Sequence, residues 1–291
     1  MLNNHNHSVE KLSVKLFFSI ILNLSITIAE IIGGLLSNSL ALLSDAVHNM
    51  SDTVSIVLTY VSLKISRKPN TIKYTFGFKR IEILSALINA AALWVISIFL
   101  LLHAYERLQH PAPINSKLMF IVAVIGLLAN LISVLLLHRH SHDSLNVKSA
   151  YLHLLGDTFS SVGVIAGSIL LYFYKIAWID PVVTILIVIY ILKESWSIIK
   201  ETLHILMQGA PVNIDLTELQ KNINEICGVK NIHHTHIWML SEKDIFLETH
   251  IKVDDIPISQ TENITEKIQT ILNSKYNINH ITIQYEQKDC K

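Results

Sequence analysis

A chain of 291 residues that is 51% hydrophobic and 16% charged, with a mean hydropathy of +0.44, is too apolar for an ordinary soluble domain, where about a quarter of residues carry charge. Its 23 basic and 23 acidic residues cancel, so no global basic surface argues for nucleic acid. The two cysteines, Cys227 and Cys290, lie far apart without CxxC spacing and indicate neither a disulfide framework nor a thiolate zinc site.

Residues 1–15 read as a polar N-terminal tail whose His5 and His7 are either solvated or help capture metal. Apolar runs of spanning length then appear near 16–36, 39–65, 81–104, 117–138, 145–174 and 179–206, which predicts six transmembrane helices. The first run is longer than a signal-peptide core and lacks a small-x-small cleavage pattern, so it reads as a retained span. The link after the second run is strongly basic, with Lys64, Arg67, Lys68, Lys73, Lys79 and Arg80, whereas Ser37-Asn38-Ser39 after the first carries no charge. The positive-inside rule puts the basic link, and with it both termini, in the cytoplasm. His138, His140 and His142 after the fourth run fit a metal-collecting loop or an ordinary polar loop equally well.

Within the second run stands Ser44-Asp45-Ala-Val-His48-Asn-Met-Ser-Asp52-Thr-Val-Ser55. Its Ser, His, Asp, Thr and Ser recur 105 positions later in Ser149-Ala-Tyr-Leu-His153-Leu-Leu-Gly-Asp157-Thr158-Phe-Ser160. On a helix, His and Asp four residues apart share one face. An aspartate inside a span costs about 2.5–3.5 kcal/mol on insertion scales, so it faces a cavity or a partner. Two matched faces offer two imidazoles and two carboxylates, a tetrahedral set that suits Zn2+ better than Mg2+ or Ca2+. Asp45 reads as a supporting group or part of an exit route. Asn23 and Asn130 read as interhelical hydrogen-bonding groups or as lining of the same cavity, and Ala29, Gly33, Gly163 and Gly167 as points of close helix contact.

Beyond Gln208-Gly-Ala-Pro211 the composition becomes that of a soluble domain. Leu216, Leu219, Ile223 and Ile226 have helical spacing, as do Ile264, Ile268, Ile271 and Leu272. Segments near 230–239, 245–253 and 280–286 alternate like strands. The expected architecture is an α-helical membrane protein with a small C-terminal α+β domain of order α-β-β-α-β. Its domains are a tail at 1–15, a six-helix membrane domain at 16–208 and a cytoplasmic domain at 209–291.

The chain resembles the cation diffusion facilitators over nearly its whole length, and most closely the bacterial zinc and cadmium efflux branch. The resemblance is carried by Ser39-Leu-Ala-Leu-Leu-Ser-Asp45-Ala-Val-His48 with Asp52, Tyr74-Thr-Phe-Gly77-Phe-Lys-Arg-Ile-Glu82, Ala150-Tyr-Leu-His153-Leu-Leu-Gly-Asp157, Leu206-Met-Gln-Gly-Ala-Pro211 and His233-His-Thr-His236-Ile-Trp238. It implies a homodimer in the bacterial inner membrane that exchanges cytoplasmic Zn2+ for external protons, with no organic cofactor. The transported ion would be held by His48, Asp52, His153 and Asp157. It further implies a metallochaperone-like C-terminal domain binding regulatory zinc through His233, His236, His250, His280 and Glu286. Strand parity places His233 and His236 on opposite faces, so a bulge or an intersubunit site is needed for both to bind. Some relatives carry an extra Asp/His site in the link between spans two and three; this link has neither residue, and no such site is expected.

Imidazole and carboxylate bind zinc only when deprotonated, so protonation expels the metal. A site opening alternately inward and outward would then run as an antiporter. The competing readings are a membrane metallohydrolase, which would leave one zinc position open to water, and a membrane-bound zinc sensor that moves no substrate.

Overall fold

The computed structural model describes residues 21–138, 145–241 and 244–287, with side chains throughout except at 136–138 and 145–154. The tail with His5 and His7, His140 and His142, Cys290, and the side chain of His138 thus lie outside the described residues. Six helices come first: α1 (Ile21–Ser37), then α2 (Leu40–Ser66), α3 (Arg80–Gln109), α4 (Ser116–His138), α5 (Leu145–Tyr174) and α6 (Ile179–Leu206). By length and composition α3, α6, Ser116–Leu135 of α4 and Leu155–Tyr174 of α5 can each cross a membrane, while α1 is apolar but shorter over its described turns. At 27 residues α2 is long enough, but its first four turns carry Asp45, His48, Asn49 and Asp52.

The chain divides into two compact units, one running to Leu58 and resuming over Ile88–Ile198, the other made of Thr59–Leu87 and Ile199–Lys291. In the first unit Ile28, Ile32 and Leu35 on α1 and Val95, Phe99 and Leu102 on α3 are exposed, while Thr27, Glu30, Asp45, His48, Asn49, Asn130 and Asp157 are buried. A water-soluble protein distributes these residue types the other way. Apolar side chains outside and ionisable ones turned inward are what a lipid-embedded bundle requires. Gly33 lets α1 meet α4, since a Cβ there would lie 2.6 Å from Val122 Cγ2. Gly167 does the same for α5 and α6, with Val183 Cγ2 at 3.0 Å, but Gly163 has nothing within 4 Å among the described residues, so the close contact expected there is not found among them.

The start of α2 is fixed by a residue 140 positions away in sequence. Asn38 takes the left-handed conformation at φ 60 and turns the chain out of α1. Asp180, at the start of α6, then accepts from Ser39 Oγ at 2.5 Å, the Leu40 N–H at 2.9 Å and the Ala41 N–H at 3.3 Å. A carboxylate at this point satisfies orphan N–H groups and the positive end of the helix dipole. Arg107 of α3 bonds the carbonyl and side chain of Asn38 and stands 3.8 Å from Asp180 Oδ2.

In the second unit, α7 (Leu216–Asn224) begins at Asp215, whose Oδ1 accepts from the N–H groups of Thr217 and Glu218. The order continues with β1 (Asn231–Met239), β2 (Ile245–Lys252), α8 (Ile258–Tyr276) and β3 (His280–Glu286), the α-β-β-α-β order expected from the sequence. The sheet runs β1-β2-β3, with β1 and β2 antiparallel and β2 and β3 parallel. Helices α7 and α8 bury Leu219, Ile223, Ile264, Ile268 and Leu272 against Ile232, Ile237, Leu247 and Ile251 of the sheet. Partial burial pushes the Asp244 carboxyl up, but hydrogen bonds from Lys79 and Ser241 outweigh it and hold the group below the ordinary carboxylate range.

Candidate metal centres

Helical periodicity puts Asp45, His48, Asn49 and Asp52 on one stripe of α2. His48 Nε2 lies 3.9 Å from Asp52 Oδ2 and 3.5 Å from Asp157 Oδ1 of α5. Ligand atoms of all three residues fall within 4.8 Å of one another. Two ligands bound to zinc at 2.0–2.1 Å in tetrahedral directions sit about 3.3 Å apart, so a metal needs only small side-chain adjustments to bind these three. Asp157 and His48 are nearly dry, with side-chain exposures of 1% and 8%, whereas Asp52 at 22% is the open member of the group. The His48 ring and that of Tyr190 of α6 meet edge to face at 6.2 Å between centroids, and the Tyr190 hydroxyl lies alongside Gly156. His153 is on α5 one turn before Asp157, but its side chain lies outside the described residues.

Around this group is a buried polar layer. Asp45 accepts from Ser160 Oγ at 2.5 Å and from Ser161 Oγ at 3.4 Å, linking α2 to α5. Glu30 of α1 is fully buried and accepts from Asn49 Nδ2 at 2.8 Å, which holds α1 to the residue next to His48. Glu30 stands outside the repeated His/Asp motif, which therefore misses it, although a lone glutamate inside an apolar run is itself a pathway signal. Asn130 is buried with neither amide atom bonded among the described residues, and Asn23 Oδ1 is likewise without a partner there. The expected interhelical hydrogen bonds of these two asparagines are thus not found among the described residues.

A second cluster lies on the open face of the C-terminal sheet. Regular alternation would send His233 and His236 to opposite faces, but the β1–β2 register shifts between them: His233 stands opposite His250 and His236 opposite Glu248. The irregularity is centred on His234, at φ 51. A bulge of one residue shifts the alternation of the strand beyond it, so His233, His236, His250 and Glu248 share a face. Glu286 Oε1 is 2.8 Å from His250 Nδ1 and its Oε2 is 3.2 Å from His233 Nε2, and these three residues also meet within 4.8 Å. His236 is linked to the cluster through His234, whose ring lies 4.8 Å from those of both His236 and His250. His280 is set apart: it pairs with Phe246, four residues from the His250–Gln284 pair, and its ring lies 4.5 Å from that of Phe246. Two imidazoles and a carboxylate suit zinc or a similar borderline ion.

Residues 16–207 match the family profile described as the cation efflux transmembrane domain, and residues 211–288 match that of the cation efflux protein cytoplasmic domain. The metal cation efflux system protein CzcD of Cupriavidus metallidurans is 40% identical over 264 residues, covering 91% of this chain and 83% of that protein. Zinc transporter ZitB of Escherichia coli is 37% identical over 297 residues, covering 100% and 94%. A cadmium, cobalt and zinc/H(+)-K(+) antiporter of Bacillus subtilis is 39% identical over 285 residues, covering 97% and 91%. With its apolar-surfaced helical bundle and its C-terminal α+β domain, the chain belongs to the cation efflux family, the cation diffusion facilitators, and is a multi-pass membrane transporter rather than an enzyme.

Proposed function

We propose that this chain exports Zn2+ across the bacterial inner membrane in exchange for protons, working as a homodimer with both termini in the cytoplasm. The observation that carries the reading is the convergence of His48, Asp52 and Asp157 inside a bundle whose outer surface is apolar. His153, one helical turn from Asp157, supplies the fourth ligand. A fixed site with four ligands would hold its ion; transport requires that the ligands also let it go. Protons do this, because imidazole, with an ordinary pKa of about 6.5, and carboxylate bind metal only when deprotonated. Asp52, the most exposed of the three, is the side through which the ion and protons enter. Asp45 and Glu30 position the faces of α2 and α5 by their bonds to Ser160, Ser161 and Asn49. Zinc flux into sealed proteoliposomes under an imposed pH gradient tests this directly; zinc binding without flux would leave a sensor instead.

Ligand type sets selectivity. His48→Asp replaces a nitrogen donor by a harder oxygen, so discrimination between Zn2+ and Cd2+ is expected to change while zinc transport persists. Competition of each metal for uptake measures it, and an unchanged order of preference would remove His48 from the ligand set.

The C-terminal cluster lies outside the predicted spans, so metal there regulates rather than travels. His233, His250 and Glu286 are its core; His236 forms its rim, and His280 joins only if the second protomer supplies it. His250→Ala is expected to weaken activation by cytoplasmic zinc without abolishing flux, and to lower zinc binding by the 209–291 domain. Calorimetry at neutral pH that found no zinc bound to the unsubstituted domain would reject this role.

A further inference from the structure

The link between α2 and α3 and the start of α3 enclose, with Gln208 and Trp238, a cavity of about 710 Å3. Its lining is sharply divided. Lys73 and Arg80 provide positive charge, no carboxylate lines it among the described residues, and the remainder is largely apolar, with Phe78, Ile81, Leu84 and Trp238. Neither cation has an anionic partner among the described residues. Lys79 is taken by Asp244, but Lys73 stands 5.8 Å from the ring of Tyr74 and joins no ion pair among the described residues. Arg80 Nε is buried without a hydrogen-bond partner among them. An unbonded buried donor of this kind is costly and calls for an acceptor.

Position narrows what the acceptor is. Arg80 begins α3, a helix long and apolar enough to cross a membrane, so the cavity opens where headgroups meet hydrocarbon. The link beside it exposes Ile72, Tyr74 and Phe76 around Lys73, a pattern of apolar and aromatic groups interleaved with a cation that suits a membrane surface. Free phosphate would use the two cations and leave the apolar wall without a role. We propose that the cavity binds an anionic phospholipid, its phosphate held by Lys73 and Arg80 and its acyl chain running along Ile81 and Leu84 of α3.

The test is native mass spectrometry of the full chain offered equal amounts of phosphatidylglycerol and phosphatidylcholine. The expected result is preferential retention of phosphatidylglycerol, reduced about fivefold by Lys73→Gln or Arg80→Gln, the effect of one cation near an anionic surface, and unchanged by Lys64→Gln, which lies outside the cavity. Lys73 is exposed in the link, so its variant reports even if Arg80→Gln fails to fold. The proposal is overturned by equal retention of the two lipids, by an equal loss with Lys64→Gln, or by a preference that survives both cavity variants. Displacement of phosphatidylglycerol by millimolar inorganic phosphate would overturn it in favour of a free-phosphate site.

Discussion

Replacing Asp157 by Asn is expected to lower zinc flux by about 100-fold or more while leaving the protein folded. Loss of a group that merely supports a ligand costs roughly 10- to 100-fold in metal affinity, which sets the lower bound for loss of a ligand itself. The site gives no easy substitute: Asp157 is 1% exposed, and its Oδ1 is the atom facing His48 Nε2 at 3.5 Å. Water has little access there to replace the lost carboxylate as a ligand. Stability moves the other way or not at all, because asparagine keeps the shape and removes a charge that a membrane interior penalises by about 2.5–3.5 kcal/mol. Function and folding therefore separate in one variant. Stopped-flow uptake by proteoliposomes, followed with a zinc indicator and normalised to protein that elutes as the native species, gives the comparison. Uptake at the unsubstituted rate would take Asp157 out of the pathway.

The convergence of His48, Asp52 and Asp157 is legible in the sequence because the helix repeat converts a four-residue spacing into a shared face, and the same spacing occurs twice. Helices and strands of the C-terminal domain are legible for a similar reason, with Leu219 and Ile223, or Ile264, Ile268 and Leu272, marking the faces that are buried. What escapes has no periodic signature. Glu30 matches nothing in the paired motif, and its importance shows only when α1 brings it to Asn49. Strand parity makes a bulge a condition for His233 and His236 to share a face, but pairing with β2 decides whether it forms. Resemblance groups His280 with the other histidines; the parallel register of β3 on β2 puts it beside Phe246, away from Glu286.

Asp180 is the clearest case of a residue whose role only the fold reveals, and its replacement by Ala is expected to be the most destabilising change in the membrane unit. In sequence it is an acid in the first turn of α6, a favourable place for it by the dipole of its own helix. In the fold it is fully buried, caps α2 through Ser39, Leu40 and Ala41, and faces Arg107. Truncation leaves two backbone N–H groups and much of the charge of Arg107 without their acceptor in a dry corner. Removing one member of a buried ion pair costs about 3–5 kcal/mol, which for a domain of about 200 residues lowers the unfolding midpoint by roughly 6–20 °C. Asp180→Asn keeps one acceptor oxygen and is expected to lose less. Because α2 also carries His48 and Asp52, the Asp180→Ala protein that survives should transport zinc more slowly at temperatures where it is still folded. Thermal unfolding in detergent, compared with Arg107→Leu and the double variant, reads the coupling between the two residues. Strictly additive losses would show that Asp180 and Arg107 act independently, and an unshifted midpoint in Asp180→Ala would show that the start of α2 is held by something else.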